Sequence, residues 1–284
     1  MLRAYYAALK PERTYANVMT TLAGFLFACR WHIDWLLLLY TLLGTTLIVM
    51  SACAVNNVTD RKLDARMPRT RKRATATGDV SAGRLLYIAI VFGLVGFAIL
   101  VVHVNWLTTL LGAIGYIDYT LLYGWSKRTT RWSTLVGTVS GAVPMVAGYT
   151  AVTGTFDRSA LLLGLVMLTW QMPHFYAIGI FRLKDYRAGG LPIWPVVHGV
   201  RNTQGWIMVY TTLYVLAVFG LSWFASAGWV FAVVIGGLGL YWLYKGFKGF
   251  TALQPDKWAR GMFGFSLVTL LVLSAMLALS PLLP

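Results

Sequence analysis

The 284-residue chain is 58% hydrophobic and only 12% charged, with a mean hydropathy of +0.67; these values exclude an ordinary soluble domain and are typical of a polytopic membrane protein. The formal net charge of +15 does not require a nucleic-acid partner, because the basic residues fall in short loops between apolar segments. Cys29 and Cys53, the two cysteines, lie in apolar segments and predict neither a disulfide framework nor a cysteine metal site.

Nine apolar segments follow one another along the chain, each long enough to cross the hydrocarbon core of a bilayer. The residues before them lack the layout of a cleavable signal peptide, so the first segment is predicted to be a retained span. Together they predict an all-α polytopic membrane protein with a single domain over residues 1–284. The predicted spans are 14–30, 35–56, 84–102, 105–124, 133–153, 159–181, 205–225, 228–244 and 262–281.

Lysine and arginine predict the orientation of the bundle. Of the 24 basic residues, only Arg30 and Arg158 fall on the second side of these spans. The positive-inside rule therefore places the N-terminus in the cytoplasm and, after nine crossings, the C-terminus outside. The two long loops, 61–83 and 183–204, then both open on the cytoplasmic face. Because loops held by a scaffold carry function, we expect the active site at the cytoplasmic mouth of a nine-helix bundle.

Asn56, Asp60 and Asp64 follow the second span at steps of four residues, which places them on one helical face. Acidic residues near hydrocarbon are costly and usually functional. A run of basic residues from Arg66 to Arg73 comes directly after them. Since Mg²⁺ prefers one or two carboxylates together with phosphate oxygens, the stretch predicts a site for a metal-bound phosphorylated ligand rather than a solvated loop.

Five further polar residues lie in or near the spans. His32 and His103 fall at the outer ends of spans and are interpreted as interfacial, whereas His174 and His198 fall on the cytoplasmic side. A lone membrane histidine is more often a hydrogen-bonded structural residue than a ligand. Asp118 lies inside the fourth span, and the sequence leaves open whether it lines a cavity or pairs with a basic residue near the mouth.

The motif N-x-x-x-D-x-x-x-D, followed by M-x-R-T-x-x-R from Met67 to Arg73, resembles the first signature of the UbiA-type intramembrane aromatic prenyltransferases. The resemblance covers nearly the whole chain. W-Q-M-P-H-F at 170–175 and F-R-L-K-D-Y at 181–186 are similar to the haem O synthase branch of this superfamily. Ala74 and Met145 stand where the family usually has proline. Phe181 replaces the first carboxylate of the superfamily's second D-x-x-x-D motif, of which Asp185 remains.

The resemblance implies transfer of a farnesyl group from farnesyl diphosphate to a vinyl group of protohaem IX, with addition of water, to give haem O and diphosphate. It implies Mg²⁺ on the diphosphate, held by Asp60 and Asp64 with support from Asn56, and it adds Lys184 and Asp185 to the catalytic set. His174 and, as a weaker candidate, His198 are the implied haem-binding residues. The implied diphosphate-binding residues are Arg66, Arg69, Arg73, Tyr123, Lys127 and Arg128.

The same resemblance implies the cell inner membrane as the location, with the lipid bilayer, farnesyl diphosphate and protohaem IX as partners. Haem A synthase or the terminal oxidase assembly are the candidate protein partners. Two alternatives remain open. A quinone-type prenyltransferase would share the first motif but use an aromatic acid as acceptor. A non-enzymatic haem carrier or transporter would explain the spans and histidines but would not need two carboxylates beside an arginine cluster.

Overall fold

The computed structural model describes residues 2–225 and 227–283, and within these ranges the regular structure is entirely helical. The all-α fold class predicted from the sequence is therefore confirmed. A π-helical turn covers Asp118–Leu122, and 3-10 turns cover Lys248–Thr251 and Ser280–Leu282. The α-helices are α1 (Leu2–Ala8), α2 (Pro11–Cys29), α3 (Trp35–Asp64), α4 (Ala74–Thr77), α5 (Ala82–His103), α6 (Trp106–Ile117), α7 (Tyr123–Thr129), α8 (Ser133–Thr153), α9 (Arg158–Phe181), α10 (Leu183–Ala188), α11 (Trp194–Phe224), α12 (Gly228–Phe247) and α13 (Pro255–Leu279).

Seven helical segments in the described part of the chain are long and apolar enough to cross a membrane, and they make the chain a multi-pass membrane protein. The predicted spans 14–30 and 105–124 are helical but lie outside this set. The first coincides with α2, whose first turn contains Glu12 and Arg13 and which is less apolar than the seven spanning segments. The second is divided where α6 ends and the π-helical turn begins. The seven segments are Trp35–Asp64, Ala82–His103, Ser133–Thr153, Arg158–Phe181, Trp194–Phe224, Gly228–Thr251 and Pro255–Leu282.

Helix α3 has 30 residues and is therefore about 45 Å long at 1.5 Å per residue. That length exceeds the hydrocarbon thickness of about 30 Å. The predicted span ended at residue 56, but the helix continues for two more turns, to Asp64. These extra turns carry the two carboxylates of the motif on a rigid extension of a spanning helix.

At the end of the bundle opposite those carboxylates, polar side chains cap the first turns of α3 and α6. Asp34 caps α3 by accepting hydrogen bonds from the backbone N–H groups of Leu36 and Leu37, both at 3.0 Å. Asn105 caps α6, and its amide also donates to the Thr150 carbonyl of α8 at 2.9 Å. Each cap supplies acceptors to helix N–H groups that have no intrahelical partner.

Helices α2 and α8 approach so closely that only glycine fits at their contact. A Cβ atom on Gly148 would collide with the backbone of Thr21, and one on Gly24 would collide with the backbone of Met145. Helices α3 and α5 meet in the same way, since a Cβ on Gly96 would lie 2.9 Å from the Gly44 carbonyl oxygen. These backbone contacts fix the distances between helices that border the central cavity.

We predict that Gly148→Ala destabilises the protein by about 1–3 kcal/mol, because the added methyl group meets backbone atoms that cannot move without shifting a helix. Thermal unfolding in detergent measures the effect. Gly264→Ala is the matched control, since a Cβ at Gly264 meets nothing within 4 Å and alanine favours helix. Equal unfolding temperatures for the two variants would contradict the close contact.

Candidate active site

Asp60, near the C-terminal end of α3, is paired with two cations from α7. Its Oδ1 accepts a hydrogen bond from Arg128 Nη2 at 2.8 Å, and its Oδ2 accepts one from Lys127 Nζ. The Asp60 and Lys127 side chains are only 9% and 7% exposed. Burial lowers the pKa of Lys127, and attraction to Asp60 opposes that decrease. Removing one partner of a buried ion pair costs about 3–5 kcal/mol, so this pair holds α7 against α3.

Asp64, one turn beyond Asp60, is 2% exposed and forms an ion pair with Arg73. Its Oδ2 accepts a hydrogen bond from Arg73 Nη1 at 2.8 Å. The intervening residues fold back on the helix end, because Thr70 Oγ1 donates to the backbone carbonyl of Asp64 at 2.9 Å. Both carboxylates of the motif are therefore paired with basic residues for which the family resemblance implies diphosphate binding.

The two long loops predicted to share one face of the bundle are in contact. Met67 from the first loop is buried with Leu191 and Ile193 from the second. Gly189 lets the second loop approach, because a Cβ there would lie 2.9 Å from Met67 Cγ. The carboxylates on α3 and the segment around Asp185 are thereby brought to the same end of the bundle.

Asn56 has contacts that the sequence did not predict. Its Oδ1 accepts a hydrogen bond from Lys10 Nζ at 2.7 Å and lies 3.5 Å from the hydroxyl of Tyr119. That hydroxyl accepts a hydrogen bond from Arg13 Nη1 at 2.7 Å. Lys10 reaches Asn56 from a left-handed backbone conformation with φ of 52°. Burial, with a further contribution from repulsion by Arg13, lowers the pKa of Lys10 to about 7.

A cavity of about 390 Å³ extends from this end into the bundle, within the range of about 300–1,000 Å³ of small-molecule sites. Polar side chains occur on its wall at Arg13, Tyr119 and Tyr123, whereas Ile48 and Leu270 are part of its apolar lining. The rings of Tyr119 and Tyr123 stack with centroids 5.9 Å apart. The cavity therefore combines polar groups near the carboxylates with an apolar interior.

His174 lines the same cavity from α9 and is 9% exposed. Its Nδ1 is 2.7 Å from Ser266 Oγ of α13. The imidazole stacks on Trp170, with centroids 4.9 Å apart at 25°, and contacts the ring of Phe263 at 5.0 Å. His174 thus shares one cavity with Tyr123, whose ring centroid lies 5.2 Å from Lys127 Nζ.

The other predicted site residues form no side-chain hydrogen bond or ion pair with Asn56, Asp60 or Asp64 among the described residues. Lys184 is exposed, and Asp185 is partly buried, 3.8 Å from Arg182 Nη1. His198 is exposed, and its ring packs on Trp194 with centroids 4.3 Å apart. Arg66 and Arg69 are also exposed. The predicted residues that the structure brings together around α3 are Asn56, Asp60, Asp64, Arg73, Tyr123, Lys127 and Arg128.

The donor set of this site fits a hard divalent cation that brings further ligands with it. The described residues contain no cluster of three or more His, Cys, Asp or Glu side chains that could enclose a metal ion. Asp60 and Asp64 are not among the residues that line the cavity, but they provide two buried carboxylates on consecutive turns of α3, and Mg²⁺ characteristically combines one or two carboxylates with phosphate oxygens. Asn56 fits less directly, because its Oδ1 is already hydrogen-bonded to Lys10.

Asp118 belongs to neither of the two environments predicted for it. It is 3% exposed, and its Oδ2 accepts a hydrogen bond from the backbone N–H of Ser140 in α8 at 3.0 Å. It is not among the residues that line the cavity, and it forms no ion pair within the described ranges. Its observed contact ties the π-helical turn to α8, which is a structural role.

Fold and site together define a multi-pass helical membrane protein in which paired carboxylates and cations lie beside an apolar cavity, with Lys127 against the cavity-lining Tyr123. The chain belongs to the UbiA prenyltransferase family, whose model matches residues 17–278. It is 41% identical to protoheme IX farnesyltransferase 1 of Shewanella frigidimarina over 98% of this chain and 92% of that protein. It is 42% identical to protoheme IX farnesyltransferase of Acinetobacter baylyi over 96% of this chain and 94% of that protein.

Two solved structures share the fold at low sequence identity. A digeranylgeranylglyceryl phosphate synthase superimposes with a TM-score of 0.82 at 12% identity, over 99% of this chain and 98% of that one. A UbiA homologue from Archaeoglobus fulgidus, bound to GPP and Mg²⁺, gives a TM-score of 0.73 at 14% identity, over 96% of this chain and 99% of that one. The helical architecture is therefore retained while most side chains differ.

We predict that Asp118→Asn keeps near-normal stability and turnover, because the amide oxygen still accepts the Ser140 N–H. Asp118→Leu leaves that buried N–H without its side-chain acceptor and is expected to cost about 1–3 kcal/mol. Thermal unfolding and turnover are measured on both variants. A folded Asp118→Asn protein with strongly reduced turnover would show instead that the carboxylate takes part in the chemistry.

Proposed function

We propose that this protein transfers the farnesyl group of farnesyl diphosphate to a vinyl group of protohaem IX and adds water, yielding haem O and diphosphate. One observation carries the proposal: a single apolar cavity is lined by His174 and by Tyr123, and the Tyr123 ring centroid lies 5.2 Å from Lys127 Nζ, the partner of Asp60. The activity named for relatives that are about two-fifths identical over almost the full chain supports the same acceptor and donor.

The diphosphate binds at the C-terminal end of α3, where the basic residues exchange their carboxylate partners for phosphate oxygens. In the protein without substrate, Asp64 is paired with Arg73, and Asp60 is paired with Lys127 and Arg128. Asp60 and Asp64 would hold Mg²⁺, and the metal would supply positive charge to the leaving diphosphate. The three cations then bind phosphate oxygens and stabilise the charge that develops on them as the allylic C–O bond breaks. Asn56, with its Oδ1 held by Lys10, supports this arrangement.

The cavity protects the allylic cation that remains after the diphosphate leaves. Its apolar wall binds the farnesyl chain and excludes water. Tyr119 and Tyr123 present stacked rings near the mouth, and aromatic faces attract cations by about 0.5–2 kcal/mol. The cation therefore survives until a carbon nucleophile reaches it.

Protohaem IX enters the same cavity with His174 as its axial ligand. A neutral imidazole is a common haem-iron ligand, and one axial bond orients the porphyrin so that a vinyl group faces the allylic carbon. The vinyl CH₂ forms the new C–C bond, and the cation produced next to the ring takes up water and releases a proton. His198 is a candidate for a contact during haem entry, since it lies exposed on Trp194.

The bundle crosses the inner membrane nine times, with the N-terminus and both long loops in the cytoplasm. Helix α2 and the α6–α7 segment supply the two crossings beyond the seven apolar segments. The distribution of basic residues, of which only Arg30 and Arg158 fall on the other side, supports this orientation. It places the carboxylates and the cavity mouth towards the cytoplasm. Haem A synthase or the terminal oxidase assembly would receive the product.

Purified protein incubated with protohaem IX, an aromatic acid of the quinone-precursor type and farnesyl diphosphate tests the function. With Mg²⁺, mass spectrometry should show haem gaining one farnesyl group and one hydroxyl group, and the acid unchanged. Prenylation of the acid would instead support the quinone-type enzyme. Unchanged haem that remains bound to the protein would support a carrier.

We predict that Asp60→Asn and Asp64→Asn each lower the turnover number by at least about 100-fold, the usual cost of losing one electrostatic group in an active site. Haem binding, followed by its absorption spectrum, should persist because neither carboxylate contacts His174. Asp79→Asn is the control, since Asp79 is an exposed acid in the loop that follows α3. Near-normal turnover of either active-site variant in saturating Mg²⁺ would refute the metal assignment.

The orientation is tested by single cysteines introduced as Arg71→Cys and Arg158→Cys, in a chain whose buried Cys29 and Cys53 are replaced by alanine. A membrane-impermeant maleimide should label position 158 from the periplasmic side and position 71 only in inverted vesicles. Labelling of both positions from one side would overturn the predicted topology.

A further inference from the structure

We infer that Ser266 is a positioning residue for His174: it holds the imidazole in the tautomer whose Nε2 is unprotonated and available to a metal in the cavity. The inference rests on the proposed function in one respect, namely that the ligand of Nε2 is the haem iron.

The direction of the Ser266 hydroxyl fixes the tautomer. Ser266 Oγ lies 2.6 Å from the backbone carbonyl oxygen of Phe263, one turn earlier in α13, and 2.7 Å from His174 Nδ1. A serine hydroxyl has one proton to donate. A carbonyl oxygen only accepts, so the proton must point to Phe263, because otherwise two lone pairs would face each other at 2.6 Å. Ser266 Oγ therefore accepts, and His174 Nδ1 carries the proton.

The imidazole cannot easily turn over to exchange its two nitrogens. Its faces are packed by Trp170 and Phe263, with ring centroids at 4.9 and 5.0 Å, and Phe175 contacts it edge-on at 5.1 Å. The indole Nε1 of Trp170 in turn donates to the backbone carbonyl of Ser266 at 3.1 Å. Helices α9 and α13 thus hold both the ring and the serine that accepts from it.

The remaining ring nitrogen has the properties of a metal ligand. His174 lines the cavity, and within the described residues its side-chain hydrogen bond is the one made by Nδ1. With Nδ1–H donated to Ser266, Nε2 keeps its lone pair in the neutral ring. Histidines that ligate metals usually donate their other N–H in this way, which fixes the tautomer and ring orientation and raises ligand basicity.

The test compares Ser266→Ala with Ser266→Thr, which keeps a hydroxyl, and with Ser274→Ala. Ser274 is a matched control because it lies on the same helix, is buried, and its Oγ has no hydrogen-bond partner among the described residues. The bond from Trp170 to the Ser266 carbonyl survives all side-chain changes, so α13 keeps its anchor. The readouts are haem affinity by absorption titration, the iron–histidine stretching frequency of ferrous haem by resonance Raman, and KM for farnesyl diphosphate.

We expect Ser266→Ala to weaken haem binding by about 10-fold or more, the usual effect of removing such a supporting group, and to lower the iron–histidine frequency. KM for farnesyl diphosphate should not change. Ser266→Thr should recover the wild-type frequency, and Ser274→Ala should match wild type. A frequency and affinity unchanged in Ser266→Ala, while His174→Ala loses the haem spectrum, would overturn this inference and leave the proposed function intact. A wild-type spectrum in His174→Ala would overturn the haem ligation itself.

Discussion

The burial of two carboxylates at the end of one long helix is the constraint on which the site depends. Asp60 and Asp64 are almost fully enclosed, and a charge in such surroundings requires an opposite charge close by. Lys127 and Arg128 from α7 and Arg73 from the following loop supply it. The protein therefore folds with these two acids neutralised by its own cations, and the same cations are the ones proposed to bind the diphosphate.

In the proposed function, substrate binding is an exchange of ion-pair partners and not a simple addition. A diphosphate with its metal would replace the ion pairs of Asp60 and Asp64 with a similar number of new ones. The cost of removing charged groups from water, which is the usual obstacle to buried ion pairs, would then be met largely during folding. The apolar cavity then separates two tasks. By this proposal, the charged groups on α3 and α7 bind the diphosphate, and His174 and Ser266 on α9 and α13 orient the acceptor.

The position of a site residue can be predicted when it depends on spacing within one helix. It cannot be predicted when it depends on a contact with a distant part of the chain. The four-residue spacing from Asn56 to Asp64 is enough by itself to place three side chains on one helical face, and α3 extends as that spacing requires. The role of Lys10 is not predictable in this way, because its contact with Asn56 depends on a left-handed backbone. Both predicted environments of Asp118 are wrong because its partner is a backbone N–H on another helix. The contact of Ser266 with His174 could not be predicted, because the sequence of an apolar helix does not show whether its serine has a hydrogen-bond partner on another helix.

The central claim is that the carboxylates exchange protein cations for a metal when a diphosphate arrives. Mn²⁺, as a spectroscopic substitute for Mg²⁺, can be titrated by electron paramagnetic resonance with and without an unreactive farnesyl thiolodiphosphate. We predict weak binding of Mn²⁺ alone and at least about tenfold tighter binding with the analogue, or ~1.4 kcal/mol. Lys127→Met should tighten binding of Mn²⁺ alone, because the buried ammonium no longer competes for Asp60. Equal Mn²⁺ affinity with and without the analogue, unchanged by Lys127→Met, would contradict the account.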